Sequence, residues 1–305
     1  MAETPRIRGI LAPVLTPFTP DLSPDAPRLL EHCRWLLGKG AGLAVFGTNS
    51  EANSLSVAEK LDLLARLLDA GIPPSRLLPG TGCCALPDTV ALTRRAVSAG
   101  CAGVLMLPPF YYKDVSDDGL FRSYADVIER VGDASLRVYL YHIPPVSKVP
   151  LSLSLIERLI TAYPGVIAGI KDSSGDWNNT EALLRLFQSD IFDVFCGSEA
   201  YLLATMRGGG AGSISATVNV NPAAIADLHD SWQSPGAEEK QQKLIHIRTA
   251  FAKISMISSM KAAVARARNH PGWAVPRPPL MPADESAMAT IFAELDGLGF
   301  DGLQE

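Results

Sequence analysis

Short apolar runs alternate with longer stretches of helical period along most of the chain. Candidate strands are Ile7 to Leu15, Gly42 to Phe46, Arg76 to Gly80, Gly103 to Leu107, Arg137 to Tyr141, Val166 to Lys171, Phe192 to Cys196 and Gly212 to Ser215. Helical patterns follow them at Ala26 to Leu37, Val57 to Ala70, Pro87 to Ala99, Asp117 to Val131, Ser152 to Tyr163, Trp177 to Gln188 and Ala200 to Arg207, with another from about Pro222. Strands covered on both faces read as continuous apolar runs, and these do. Eight successive βα units in about 225 residues predict an α/β fold, a closed (β/α)8 TIM barrel, in preference to an open doubly wound sheet. The expected organisation is a barrel over 1–225 and a C-terminal helical extension over 226–305 packed on it as a single structural unit. That extension is interrupted by the Pro-rich "PGWAVPRPPLMP".

Composition narrows the function classes. The chain has 305 residues, 47% of them hydrophobic, so it can bury a large core. Its formal net charge is -5 with Lys and Arg scattered, which leaves no basic stripe for nucleic acid. No apolar run reaches membrane-helix length, and "MAETPRIRGI" lacks the apolar centre of a signal peptide, so no membrane association and a cytoplasmic location are expected. Five cysteines, an odd number, fit reduced thiols. No metal or cofactor is expected: the histidines lack ligand spacing, and Glu31, His32 and Cys33 are adjacent and cannot share a helix face. "GTGCCA", Gly80 to Ala85, matches a loose dinucleotide fingerprint and keeps an oxidoreductase in view, but the following "GVLML" ends without the acid that holds a ribose.

In a (β/α)8 barrel the chemistry gathers where strands run into their βα loops. Lys171 ends the run "VIAGIK" just before the polar turn "DSSGD", and Tyr141, Thr48 and the pair Tyr111 and Tyr112 also fall at or beyond strand ends. An amine in a poorly solvated barrel mouth loses its proton more readily than one in water and can attack a ketone as a Schiff-base nucleophile. A lysine that merely snorkels to water fits the same position. Tyr141 ends the neighbouring strand, where a phenol can move protons for an imine carbinolamine, and it also fits a core tyrosine. Small residues in "VFGTNSEANSLS" offer backbone N–H groups for a carboxylate, and also an ordinary turn.

The stretches "APVLTPF", "GTNSEANSLSVAEK", "PPFYYK", "YLYHIPPVS", "GIKDSSGD", "GSEAYLLATMRGGGAGSIS", "SMKAAVARA" and "PRPPL", in this order, span about Gly9 to Leu295. The set resembles the dihydrodipicolinate synthase and N-acetylneuraminate lyase superfamily of pyruvate-type class I aldolases. The resemblance implies the barrel with a C-terminal helical bundle, assembled as a homotetramer, a dimer of dimers. It implies Lys171 as the Schiff-base lysine and Tyr141 as the proton-handling phenol. Thr48 corresponds to the hydroxyl that relays protons to that phenol, and with Asn49 it holds a 2-oxo acid's carboxylate. The lyase-like pattern "PFYY" makes Tyr111 the residue lent to a neighbouring subunit, while the spacing back from "SDDGL" points to Tyr112; Tyr111 is preferred. Gly197 and Ile214 match positions whose backbone lines the pocket.

The departures from the family pattern bear on the substrate. Asn49 and Ser50 replace a hydroxyl residue and a glycine. Val146 stands where synthases carry an arginine for the second substrate, with Lys148 nearby as a substitute charge. Ser198, Glu199 and Ala200 leave one acid where the sialic acid lyase has two. The expected activity is a Schiff-base lyase or aldolase that cleaves or condenses a small 2-oxo acid, pyruvate plus an aldehyde, similar to the 4-hydroxy-2-oxoglutarate aldolases or to N-acetylneuraminate lyase. The alternatives are a dihydrodipicolinate synthase-type condensation, a 2-keto-3-deoxy sugar acid dehydratase or aldolase, and a catalytically silent 2-oxo acid binding protein.

Overall fold

The computed structural model describes residues 6–304. Residues 1–5, on which part of the leader reading rests, lie outside them, as does 305. Among the described residues there are seven strands: β1 (Gly9–Ala12), β2 (Gly42–Leu43), β3 (Val104–Met106), β4 (Val138–His142), β5 (Ile167–Asp172), β6 (Asp193–Cys196) and β7 (Gly212–Ile214). The chain forms two units that cut across the sequence, one of 6–9 with 73–214 and one of 10–72 with 215–304. No helix among the described residues is long and apolar enough to cross a membrane.

In the first unit β3, β4, β5, β6 and β7 pair in that order, all parallel. Every residue of these strands is buried, as the unbroken apolar runs predict. The close strand approach requires glycine at 169, where a Cβ would stand 2.4 Å from the Asp193 carbonyl and 2.6 Å from the Tyr139 ring. The helix Asp117–Val131 starts on Ser116, whose hydroxyl accepts the Gly119 N–H at 3.2 Å, and stops at left-handed Gly132. One buried carboxylate, Asp193, is paired with Arg6 at 3.1 Å and Arg8 at 2.8 Å.

The expected third strand, Arg76 to Gly80, is corrected by the structure. Its start is a 3-10 turn, Pro74–Arg76, and the remainder makes one parallel bridge, Gly80 with Leu105. The Pro79 carbonyl accepts the Leu105 N–H at 2.8 Å and Thr81 donates to the Leu105 carbonyl at 3.0 Å. Pro79 has no N–H with which to extend the ladder, so the segment follows the sheet without becoming a regular strand.

In the second unit β1 and β2 pair in parallel, Leu11 opposite Gly42 and Ala12 opposite Leu43. Both are shorter than their apolar runs: Pro13 follows β1, and after β2 the chain turns at Phe46 with φ 62°. The helix Val57–Asp69 opens with reciprocal bonds between Ser56 and Glu59, a capping box. The C-terminal helices Ala237–Phe251, Met256–Ala267 and Glu285–Gly297 share a core that includes Phe251, Met260, Val264, Trp273, Ile291 and Leu295, together with Leu15 and Val220. Their apolar faces therefore serve one core, with the Pro-rich stretch joining the last two helices.

Candidate active site

Strand pairing in the first unit sets the central geometry. Tyr141 in β4 lies opposite Lys171 in β5, and Lys171 lies opposite Phe195 in β6. The Lys171 Nζ stands 4.2 Å from the centre of the Tyr141 ring, and both residues are 2% exposed. A lysine that snorkels to water is excluded by that burial, because its amine is held among β4, β5 and β6 against an aromatic face. An amine and a phenol in contact, both shielded from bulk water, are the groups that imine formation and proton transfer require.

The end of β5 is fastened on both sides. The Ser173 N–H donates to the His142 carbonyl at 2.7 Å, and the Gly197 N–H donates to the Asp172 carbonyl at 2.6 Å. The buried Asp172 carboxylate accepts from the Ser174 N–H at 3.0 Å, the Ser174 hydroxyl at 3.0 Å and the Thr180 hydroxyl at 2.6 Å. The polar turn after Lys171 is thus a set of bonds that orders the strand end carrying the amine. Opposite Asp172 lies His142, whose Nδ1 accepts the Leu151 N–H at 3.1 Å and is therefore unprotonated. Burial pulls the His142 pKa down, and the nearby Asp172 charge opposes that shift.

Gly197 adjoins this strand end, and Ile214 is buried at the end of β7. Val146 lies in the short helical turn Pro144–Ser147 that follows β4 and is 61% exposed. Tyr111 and Tyr112 are each 74% exposed, with ring centres 5.4 Å apart and edge to face. Lys113 beside them donates to the Ser147 carbonyl at 3.0 Å, which ties their loop to the turn carrying Val146.

Thr48 and Asn49 belong to the second unit, half-buried in a 3-10 turn, Thr48–Ser50. Ser50 earns its position where the family pattern has glycine: its hydroxyl accepts the Gly47 N–H at 3.2 Å and its carbonyl accepts the Thr16 hydroxyl at 2.7 Å. Sequence reasoning singled out neither His142 nor Asp172. Their signal was present as titratable residues at the ends of two largely apolar strands.

A family model described as the dihydrodipicolinate synthetase family matches residues 6–296. An uncharacterized DapA-like lyase of Chloroflexus aurantiacus is 34% identical over 292 residues, covering 94% of this chain and 95% of that protein. The crystal structure of dihydrodipicolinate synthase from Agrobacterium tumefaciens superposes with a TM-score of 0.89 at 30% identity, over 96% of this chain and 99% of its own. YagE of E. coli K12, a prophage protein of the dihydrodipicolinic acid synthase family in complex with pyruvate, gives 0.87 at 27% identity, over 96% and 99%. The likeness in fold bears out the (β/α)8 barrel with a C-terminal helical appendage. The expected enzyme class, a carbon–carbon lyase of the Schiff-base type, is borne out as well. With a model match across nearly the whole chain and a relative 34% identical over 94% of it, the chain belongs to the dihydrodipicolinate synthetase family.

Proposed function

We propose that the protein is a Schiff-base lyase of small 2-oxo acids, acting through Lys171 and Tyr141. The observation that carries this reading is the buried Lys171 amine 4.2 Å from the Tyr141 ring on paired strands. The Lys171 Nζ attacks the C2 carbonyl of the 2-oxo acid, the carbinolamine loses water, and a protonated imine forms. Tyr141 gives its proton to the departing carbinolamine hydroxyl and then, as phenolate, takes the proton of the 4-hydroxyl; the C3–C4 bond breaks, an aldehyde leaves, and the electron pair of that bond is held as an enamine of pyruvate. Protonation at C3 and hydrolysis of the imine return the free amine.

The family resemblance assigns the substrate carboxylate to Thr48 and Asn49, and a proton relay to Thr48. It assigns pocket-lining backbone to Gly197 and Ile214. The exposure of Tyr111 and Tyr112 supports lending one of them, Tyr111 first, to a neighbouring subunit of a homotetramer. Val146, apolar and exposed where a synthase carries an arginine, argues against the synthase-type second substrate. The same reading makes 1–225 the catalytic barrel, 226–305 a helical extension, and the cytoplasm the site of action.

Incubation with pyruvate and borohydride should give a stable adduct that maps to Lys171. Absence of that adduct, or turnover by Lys171→Ala, would sink the proposal. A panel of aldehydes offered with pyruvate in the condensation direction then identifies the second substrate.

A further inference from the structure

Outside the amine and phenol, a fully buried charged group of the second unit is Glu51, at the junction of two successive 3-10 turns, Thr48–Ser50 and Ala52–Ser54. Its backbone is left-handed, φ 56° and ψ 35°, a conformation that side chains other than glycine and asparagine seldom adopt. Something must hold it there, and the carboxylate shows what does.

Glu51 is buried with both oxygens engaged. Oε1 accepts from the Nζ of Lys261, in the helix Met256–Ala267, and Oε2 accepts the Arg277 N–H at 2.7 Å. Lys261 is equally buried, donates to the Val275 carbonyl at 2.8 Å, and stands 4.5 Å from the centre of the Phe18 ring. The Arg277 side chain continues the clamp: it donates to the Ser54 carbonyl at 2.5 Å, at the end of the second turn, and to Glu59 at 2.6 Å. Two stretches more than 200 residues further along the chain therefore grip the segment immediately after Thr48 and Asn49.

Net stability is a poor account of this pair. Burial pulls Lys261 down to about 8 even though Glu51 opposes the shift, so the ion pair does not offset the desolvation of the ammonium. What such a pair supplies is a unique geometry, here at a backbone position that resists its own conformation.

We infer that Glu51 is a positioning residue, which, through Lys261 and the Arg277 N–H, holds the Thr48–Asn49 turn in the shape that receives the substrate carboxylate. The inference rests on the assignment of that turn in the proposed function. It adds that the C-terminal segment sets the affinity for the 2-oxo acid.

The test measures borohydride trapping of pyruvate on the full-length protein as a function of pyruvate concentration, with melting temperature recorded in parallel. Glu51→Asp keeps the charge and shortens the reach by one methylene. It is expected to raise half-saturating pyruvate about tenfold while the rate at saturation stays within about twofold, a displacement of less than 1 Å acting on binding. Glu51→Ala with Lys261→Met removes the Glu51–Lys261 pair without leaving a buried charge unpaired, keeps the Arg277 bonds to Ser54 and Glu59, and is expected to raise half-saturation further. A role confined to folding predicts lower melting temperatures with half-saturation unchanged, and that result in either variant overturns the inference. Thr48→Val and Asn49→Ala separate the two levels of the argument. If they raise half-saturation and the Glu51 variants do not, the turn binds carboxylate and the inference about Glu51 fails. If the wild-type protein gives no Lys171 adduct, the proposed function itself fails.

Discussion

Replacing Gly197 by alanine tests whether the backbone around Lys171 is as rigid as its bonds imply. A Cβ at this position would stand 2.0 Å from the Ser173 Oγ and 2.8 Å from both the Ser173 Cβ and the Asp172 carbonyl oxygen. The Ser173 hydroxyl can rotate away, but the other two atoms are fixed by the backbone. Relief of about 0.7 Å is needed to reach the roughly 3.5 Å at which such atoms rest. The Asp172 carbonyl is pinned by the Gly197 N–H at 2.6 Å, and Ser173 by the His142 carbonyl at 2.7 Å, so the end of β5 must move. Overpacking of this kind costs about 1–3 kcal/mol, read as a fall of several degrees in melting temperature. Since a 1 Å misplacement can cost about 100-fold in rate, a shift of several tenths of an ångström next to Lys171 should slow adduct formation with pyruvate and borohydride about tenfold. Scanning calorimetry and the trapping rate at saturating pyruvate measure both effects. Adding Ser173→Gly removes the serine contacts and leaves the Asp172 carbonyl, so recovery should be partial. An alanine variant with wild-type melting and trapping would refute the claim of a pinned strand end.

Three further outcomes follow from buried groups. His32, enclosed between Trp35 and Trp273 and bonded to Asn219, is pulled by burial from 6.5 down to about 4. The unfolded chain therefore takes up that proton first as pH falls, and stability present above 6.5 is lost toward pH 4, by about 3 kcal/mol in all. Urea unfolding across that range should show a slope that His32→Phe flattens, and an unchanged slope contradicts the assignment. Burial likewise raises the thiol pKa of Cys33, and that of Cys196 up to about 12, whereas Cys84 is exposed. At pH 8 a thiol reagent should label Cys84 in the native protein and reach Cys33 and Cys196 only after denaturant, so prompt labelling of Cys196 would contradict its packing. Thr180→Val deletes the 2.6 Å bond to the Asp172 carboxylate and should cost about 1–3 kcal/mol, since hydrogen bonds to buried charge are the strong ones. A urea midpoint equal to wild type would remove Asp172 from its structural role.

Local pattern alone determined much of this protein. Apolar runs and helical periods placed the β4 to β7 strands and most helix starts within a residue or two, because burial on two faces and capping by Ser, Asp and Pro are written in neighbouring residues. Lys171 at the end of an apolar run was legible for the same reason, and strand adjacency was enough to expect Tyr141 near it. The expected third strand was overread because periodicity takes no account of a missing donor, and Pro79 limits the segment to a single bridge. Only tertiary structure decided the rest. The contact of the Lys171 amine with the Tyr141 ring depends on strand register, and the clamp on Glu51 joins it to Lys261 across 210 positions and to Arg277 across 226. No local pattern encodes such a pairing. A charge in a helix such as Met256–Ala267 reads as solvated until the fold removes the water around it, and at that point it must find its opposite charge elsewhere in the chain.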